Sequence, residues 1–321
     1  MTAGGAHAIS TTLQHHHHKY KVLALFAALS FANAVLLMDY ADDYTLVTHA
    51  LQADATAVAF LYTLFLLCVM PAMPLATVGV ASHETATMLC AHVLNIVGAW
   101  LRYQAVVDRS YAVAIASTVS AGAAASVIVS SYGAIAKRWF PPAQRSLATS
   151  IAVQSNYLGW AMGSLIGVAV RGSLANFRGF LFWQAVCISA TLPLFLLVHY
   201  GLPLRAASGG GPPPQPQRHS PEAASAALGA TAAHDDDSDG AQLTARESLW
   251  TMAHNWRYAV YALCYAVVGG IGFSVPAAQD AVLGETCMGP ELAYSTYQTT
   301  LTNFAFILSG VLTGLLLGVR V

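Results

Sequence analysis

AKRWFPPAQRSLATSIAVQSNYLGWAMGSLIG, residues 136–167, sets a basic, proline-broken hinge between two runs without charge. Ser110 to Ala136 holds no Asp, Glu, Lys or Arg, and neither does Ser146 to Val170. Between them Lys137, Arg138, Trp139, Pro141, Pro142 and Arg145 fall within nine residues. A helix needs roughly 20 apolar residues to cross the hydrocarbon core of a bilayer, and each flanking run is that long. The prolines end one helix before the next begins. The charges hold the hinge in water, since charge at membrane depth is costly.

The rest of the chain agrees. Apolar residues make up 56% of it and charged residues 9%, with a mean hydropathy of +0.55. Soluble domains carry about 25% charged residues, so the 321-residue chain is an integral membrane protein. Apolar runs predict eight spans, near 22–40, 56–79, 85–105, 111–136, 146–170, 179–203, 257–279 and 297–319. Pro71 and Pro74 inside the second span and glycine in most others suit membrane helices. The alternation that marks a membrane barrel is absent.

Basic residues predict the orientation. With a cytoplasmic N-terminus, Lys19, Lys21, Lys137, Arg138, Arg145, Arg205, Arg218, Arg246, Arg257 and Arg320 lie inside, ten of fourteen. Arg102, Arg109, Arg171 and Arg178 fall outside. The hinge is then the cytoplasmic loop between the fourth and fifth helices. No short apolar core with a small-residue cleavage site opens the chain, so the first span is expected to be retained. Four of the five cysteines lie in predicted helices and Cys287 in an outer loop, which implies no disulfide framework.

Residues 205–250 change character, with GGGPPPQPQ, an Ala/Ser stretch and HDDDSDG. Such a composition cannot bury a core and predicts a disordered cytoplasmic linker. The expected organisation is a His-containing tail over 1–20, a six-helix bundle over 21–204, the linker, and helices seven and eight over 251–321. The fold class is all-α and polytopic, and six helices followed by a long inner loop match the two-halved major facilitator plan. That plan calls for six helices after the linker and two are present here, so the second half is expected to be incomplete. Two functions follow. One is a transporter, in which a homodimer would supply the missing wall. The other is a truncated, non-transporting receptor or regulatory partner, or an incomplete gene product.

WFPPAQRSLATSIAVQSNYLG, with Gly163 and Gly167 after it, resembles the fourth-to-fifth helix junction of FLVCR-related transporters. LNIVGAWLR at 94–102 resembles the third helix of that family. YAVVGGIGFSV at 265–275 and NFAFILSGVLTGLLLG at 303–318 resemble its seventh and eighth. The resemblance implies a facilitator-type transporter of haem, of choline or ethanolamine, or of a pyridoxine-like solute, in the plasma membrane or an endo-lysosomal membrane. It also marks departures. The loop ATVGVASHETAT has Val80 near the place of the family's gating Asp, and Leu37 stands where the choline-transporting branch has a cage Trp. Asn156-Tyr157-Leu158-Gly159 replaces Asn-Gln-Leu-Gly, closer to the lysosomal branch, while Phe273 keeps the aromatic of helix seven. A cation box would rest on Tyr157 and Phe273 without Trp, the ring that binds cations best.

Gln154, Asn156, Tyr157 and Phe273 are the candidate substrate contacts. The three on helix five are polar at membrane depth, where lipid offers no partner. Gln154 and Tyr157 share a helix face, and Asn156 falls nearer the glycines. Helix-to-helix hydrogen bonding is the competing reading for all three. Gly159, Gly163 and Gly167 recur every four residues and form a close-packing or sliding face. Asp39 and Asp280 are candidates for an acidic outer vestibule, against the commoner solvated helix end, as are Asp42 and Asp43 in MDYADDY. His15 to His18 read as a metal- or haem-holding run or a low-complexity tail. His92, alone in helix three, reads as a packed, hydrogen-bonded histidine ahead of a haem ligand.

Phosphate loops, dinucleotide glycine patterns and HExxH are absent. GWAMG at 159–163 has Ala where a nucleophile elbow needs Ser. No catalytic residue, cofactor or metal site is implied, and a net charge of −1 without a basic patch excludes nucleic acid. The expected partners are the bilayer and a small organic solute, haem among them.

Overall fold

The structure, a computed structural model, describes residues 3–41, 44–170, 173–207, 254–257, 259–260, 263–264, 267 and 296–320. Helices account for these residues apart from short joints, and no strand occurs among them. In chain order they are α1 (Ala3–Met38), α2 (Tyr44–Leu51), α3 (Ala55–Asp108), α4 (Tyr111–Trp139), α5 (Pro142–Gly163), α6 (Ile166–Val170), α7 (Leu174–Ala207) and α8 (Thr296–Arg320). The chain divides into two compact units. The first comprises Met1–Val80, Glu84–Pro214 and Thr300–Val321, the second Ala81–His83 and Gln215–Thr299. Of the second, the described positions are helical apart from Asn255, and the predicted seventh helix lies largely outside the described residues, as does residues 208–250 of the linker.

Four helices of the described residues are long and apolar enough to cross a membrane: His18–Met38, Ala55–Asp108, Tyr111–Trp139 and Leu174–His199. The second, Ala55–Asp108, is too long for one crossing. A straight helix of 54 residues would be about 80 Å long, more than twice a bilayer's hydrocarbon thickness. His83 breaks it with φ −141° and ψ 60°. Gly79 and Thr87 would stand about 12 Å apart along a straight helix, yet a β-carbon on Gly79 would meet Thr87 Oγ1 at 3.0 Å. The chain therefore reverses at His83, and α3 is two spans. They match the predicted second and third, and the loop expected between them narrows to one non-helical residue.

Local signals place the ends. Asp54 accepts from the amide of Ala57 at 2.7 Å and starts α3. Ser110 caps α4 through the amide of Val113. Phe140 ends α4 in extended backbone, Pro141 stands at the N-cap of α5 with φ −64°, and Pro142 occupies its first turn. Proline is favoured there because its missing N–H would be unpaired anyway. The predicted fifth span continues to residue 170, but the structure breaks it at Ser164 and Leu165 and resumes in α6. At the other terminus α1 runs through the segment expected to be a separate tail.

Two apolar clusters hold the bundle, one around the middle of α1 and one at its C-terminal end. The first packs Val22, Phe26, Val80, Met88, Ile135 and Phe195. The second packs Tyr40, Val47, Leu51, Leu61, Val106 and Phe177. Helix α2, which sequence analysis missed, belongs to the second cluster. Its eight residues are too few to stand alone, and packing of Leu46, Val47, Ala50 and Leu51 stabilises it. Outward, Met70, Leu75, Trp183 and Leu197 are each more than 60% exposed, a surface that suits lipid and not water. The protein is a multi-pass membrane protein.

Candidate functional site

Helix α5 carries three of the four predicted substrate contacts, and the structure sends them to different neighbours. Gln154 reaches α8, where a β-carbon on Gly314 would overlap its side-chain amide. Its Oε1 is buried with no hydrogen-bond partner among the described residues. Asn156 Nδ2 donates to the carbonyl of Ser30 on α1 at 3.4 Å, the helix-to-helix bond of the competing reading. Tyr157 is half-buried and meets Trp160 edge-on, with ring centroids 5.1 Å apart. Gln154 and Tyr157 remain three residues apart on one helix, so an unpaired acceptor and an aromatic pair share a face. Phe273 and Asp280 lie outside the described residues.

The glycines explain how closely α5 approaches α1. A β-carbon on Gly159 would lie 2.5 Å from the carbonyl oxygen of Phe31, and one on Gly163 2.5 Å from Cβ of Met38. Only hydrogen fits at either position. Gly167 lies beyond the turn at Ser164 and Leu165, in α6.

Asp39 is also corrected. It is neither a vestibule group in open water nor a solvated helix end, because it is 2% exposed and faces Arg102 with Oδ2 3.5 Å from Nη1. Gln184 Nε2 on α7 donates to its other oxygen at 3.0 Å. Arg102 lies equally deep. Its Nε donates to Ser117 Oγ at 3.2 Å and Nη2 to Thr118 Oγ1 at 3.3 Å, and its guanidinium lies over the Tyr40 ring at 4.2 Å. A loop-facing arginine was expected at this position. The pair ties together α1, α3, α4 and α7, and the only signal for it was one acid and one base at the same membrane level.

A further polar group went unread. Asn33 Nδ2 donates to Asn95 Oδ1 at 2.9 Å and to the carbonyl of Ala121 at 3.0 Å. Ser30 and Tyr132 hydroxyls meet at 3.2 Å nearby on α1 and α4. Lone asparagines in apolar runs were the available signal, because hydrocarbon leaves them no partner but each other. His92 is buried beside Phe195, with Nδ1 2.9 Å from the carbonyl of Met88, a packed histidine as expected. Among the described residues no cluster of His, Cys, Asp or Glu could hold a metal. The side chains of His15, His16 and His17 lie outside those described.

Where α4 ends and α5 begins, the hinge is tied to both sides. Lys19 Nζ donates to Gln144 Oε1 at 2.8 Å, and Arg138 pairs with Glu84, just past the α3 turn, at 2.8 Å. Beside it lies an open, largely apolar groove of about 480 Å³, lined by Gly133, Ala136 and Lys137 of α4, by Arg145, Ser146, Thr149 and Ser150 of α5, and by Gly318 of α8.

Helices α1 to α7, a low-complexity interruption and the apolar helix α8 follow one another in the order expected of a two-halved membrane bundle. The sequence profile of the Major Facilitator Superfamily matches residues 22–320 and so runs across that interruption. The chain belongs to the Major Facilitator Superfamily. Proteins of this superfamily are transporters, and the eight predicted spans fall within the match. Within it the chain is similar to the human choline/ethanolamine transporter FLVCR2, 25% identical over 149 residues. That match takes in 46% of this chain and 28% of the relative.

Proposed function

We propose that the protein is a secondary-active transporter that carries a small hydroxylated or quaternary amine, of the choline or ethanolamine kind, by alternating access. The observation that carries this reading is Gln154. Its Oε1 is an acceptor without a partner, buried at membrane depth on the same helix face as Tyr157. An unpaired buried acceptor costs about 1–3 kcal/mol, and a cargo with a hydroxyl or an N–H removes that cost when it binds. The Tyr157–Trp160 pair adds aromatic surface for the cationic end of the same molecule. The name of the similar human protein supports the same solute class. Asn156, bonded to α1, is a positioning residue. The N-terminus is cytoplasmic, on the distribution of Lys and Arg, and the host membrane is the plasma membrane or an endo-lysosomal one.

The test is uptake into liposomes that contain the purified chain, with labelled choline and ethanolamine and with labelled haem and pyridoxine for comparison. Saturable amine uptake is expected, with the apparent KM raised about tenfold by Gln154→Ala, the loss of one buried hydrogen bond. Uptake of haem or pyridoxine in place of the amines would sink the solute class. Protein-independent flux for all four would sink transport.

A further inference from the structure

The groove beside the hinge has a composition that the amine reading leaves unused. Two of its lining residues, Lys137 and Arg145, are cationic, and no carboxylate is among its described lining residues. Neighbouring cations on the same end of the bundle are engaged, Arg138 by Glu84 and Lys19 by Gln144. Lys137 has no ion-pair partner among the described residues. Arg145 spends its Nε on the carbonyl of Phe140, at 3.1 Å, which anchors the guanidinium and leaves both terminal nitrogens for a ligand.

The hydroxyls are arranged alike. Ser150 donates to the carbonyl of Gly314 at 2.8 Å and so marks the inner wall. Ser146 and Thr149, one helical turn apart and lining the same groove as Arg145, have no hydrogen bond among the described residues. Two cations and two spare hydroxyl donors, with no acceptor of opposite charge, match a tetrahedral or planar oxyanion. Arginine suits it especially, since its fork binds phosphate or carboxylate with two parallel bonds. A volume of about 480 Å³ is ample for a small molecule. An amine cation would be repelled here.

We propose that this groove is an oxyanion site, taking the phosphate or carboxylate group of a small molecule or of a lipid headgroup, apart from the amine site on the inner stretch of α5. Lys137 and Arg145 supply the charge, and Ser146 and Thr149 the neutral donors. The site stands on the geometry of the hinge and does not depend on the identity of the cargo.

The experiment uses the full chain in phosphatidylcholine nanodiscs, titrated with inorganic phosphate by calorimetry, beside the variants Lys137→Glu, Lys137→Arg and Thr149→Val. A second arm measures by native mass spectrometry how much phosphatidic acid each protein retains from mixed discs. Lys137 is exposed, so its substitution leaves the fold intact, and equal thermal midpoints without ligand verify that. Binding of phosphate at least tenfold weaker in Lys137→Glu, restored by Lys137→Arg and weakened by added salt, is the expected result for a charge-assisted contact. Phosphate binding marks an aqueous solute as the ligand. Lys137-dependent retention of phosphatidic acid alone marks a lipid headgroup. If neither occurs, or if both proceed equally in Lys137→Glu, the oxyanion site is refuted. Amine uptake is scored separately, so either proposal can fail while the other stands.

Discussion

Replacing Arg102 by methionine isolates the buried ion pair. The guanidinium nitrogen and the Asp39 oxygen stand 3.5 Å apart, with both side chains shut off from solvent. At an effective dielectric constant near 20, two unit charges at that distance attract by about 5 kcal/mol. In Arg102→Met the carboxylate keeps only its bond from Gln184. The other partners of Arg102 are scarcely affected, because Ser117 still donates to the carbonyl of Gly98 and Thr118 to that of Ala114. The cost is therefore that of a buried charge left alone, about 3–5 kcal/mol. Asp39→Asn strands the arginine and is expected to cost a similar amount. The double variant Asp39→Asn/Arg102→Met removes both charges and retains an acceptor for Gln184, so it is expected to recover most of the loss. Unfolding in mixed micelles with increasing sodium dodecyl sulfate, followed by tryptophan fluorescence, measures all four proteins. A single variant within about 0.5 kcal/mol of the parent, or a double variant equal to the sum of the singles, would refute this account.

Four further outcomes are expected. Gly163→Leu forces a carbon to within 2.5 Å of Met38 Cβ where 3.5–4.0 Å is normal, and the unfolding free energy should fall by about 1–3 kcal/mol. Gly179→Ala on α7 meets nothing within 4 Å and should match or exceed the parent in the same assay. Asn33→Leu removes the donor to Asn95 and Ala121 and should cost about 1–3 kcal/mol, read from the thermal midpoint in detergent. In a background with the five native cysteines replaced by serine, Ala143→Cys, exposed at the hinge, should react with an impermeant maleimide only after cells are permeabilised, while Thr56→Cys, exposed at the opposite end, should react in intact cells. The reverse pattern would invert the assigned orientation.

The spans were legible because a bilayer imposes its own period on a sequence. Hydrocarbon demands about 20 apolar residues per crossing, with punctuation by charge and proline between crossings. That is why both arms of α3 were anticipated although they form one nearly continuous helix. The break at Ser164 and Leu165 was not, since Ser-Leu carries no helix-ending signal and the five residues beyond it are as apolar as those before. Helix α2 escaped for a related reason. Its amphipathic pattern covers only two turns, below the length at which local periodicity decides.

The sites divide along the same line. Polar residues at membrane depth were recognisable on α5, because an amide or hydroxyl is conspicuous in an apolar run. Their roles came from contacts that no spacing along the chain encodes. Asn156 bonds across 126 positions to Ser30, Asn33 across 62 to Asn95, and Gln184 across 145 to Asp39. Sequence by itself determined the solvent of this protein, the place of its long apolar helices α1, α3, α4 and α7 and the basic hinge, because these follow from local composition against a bilayer of given thickness. Tertiary structure decided that Asp39 is a buried partner of Arg102 and not an open acid, that Gln154 lies unpaired against Gly314, and that Lys137 and Arg145 line one groove. Each depends on which helices lie side by side, and helix neighbours are chosen by packing between segments far apart in the chain.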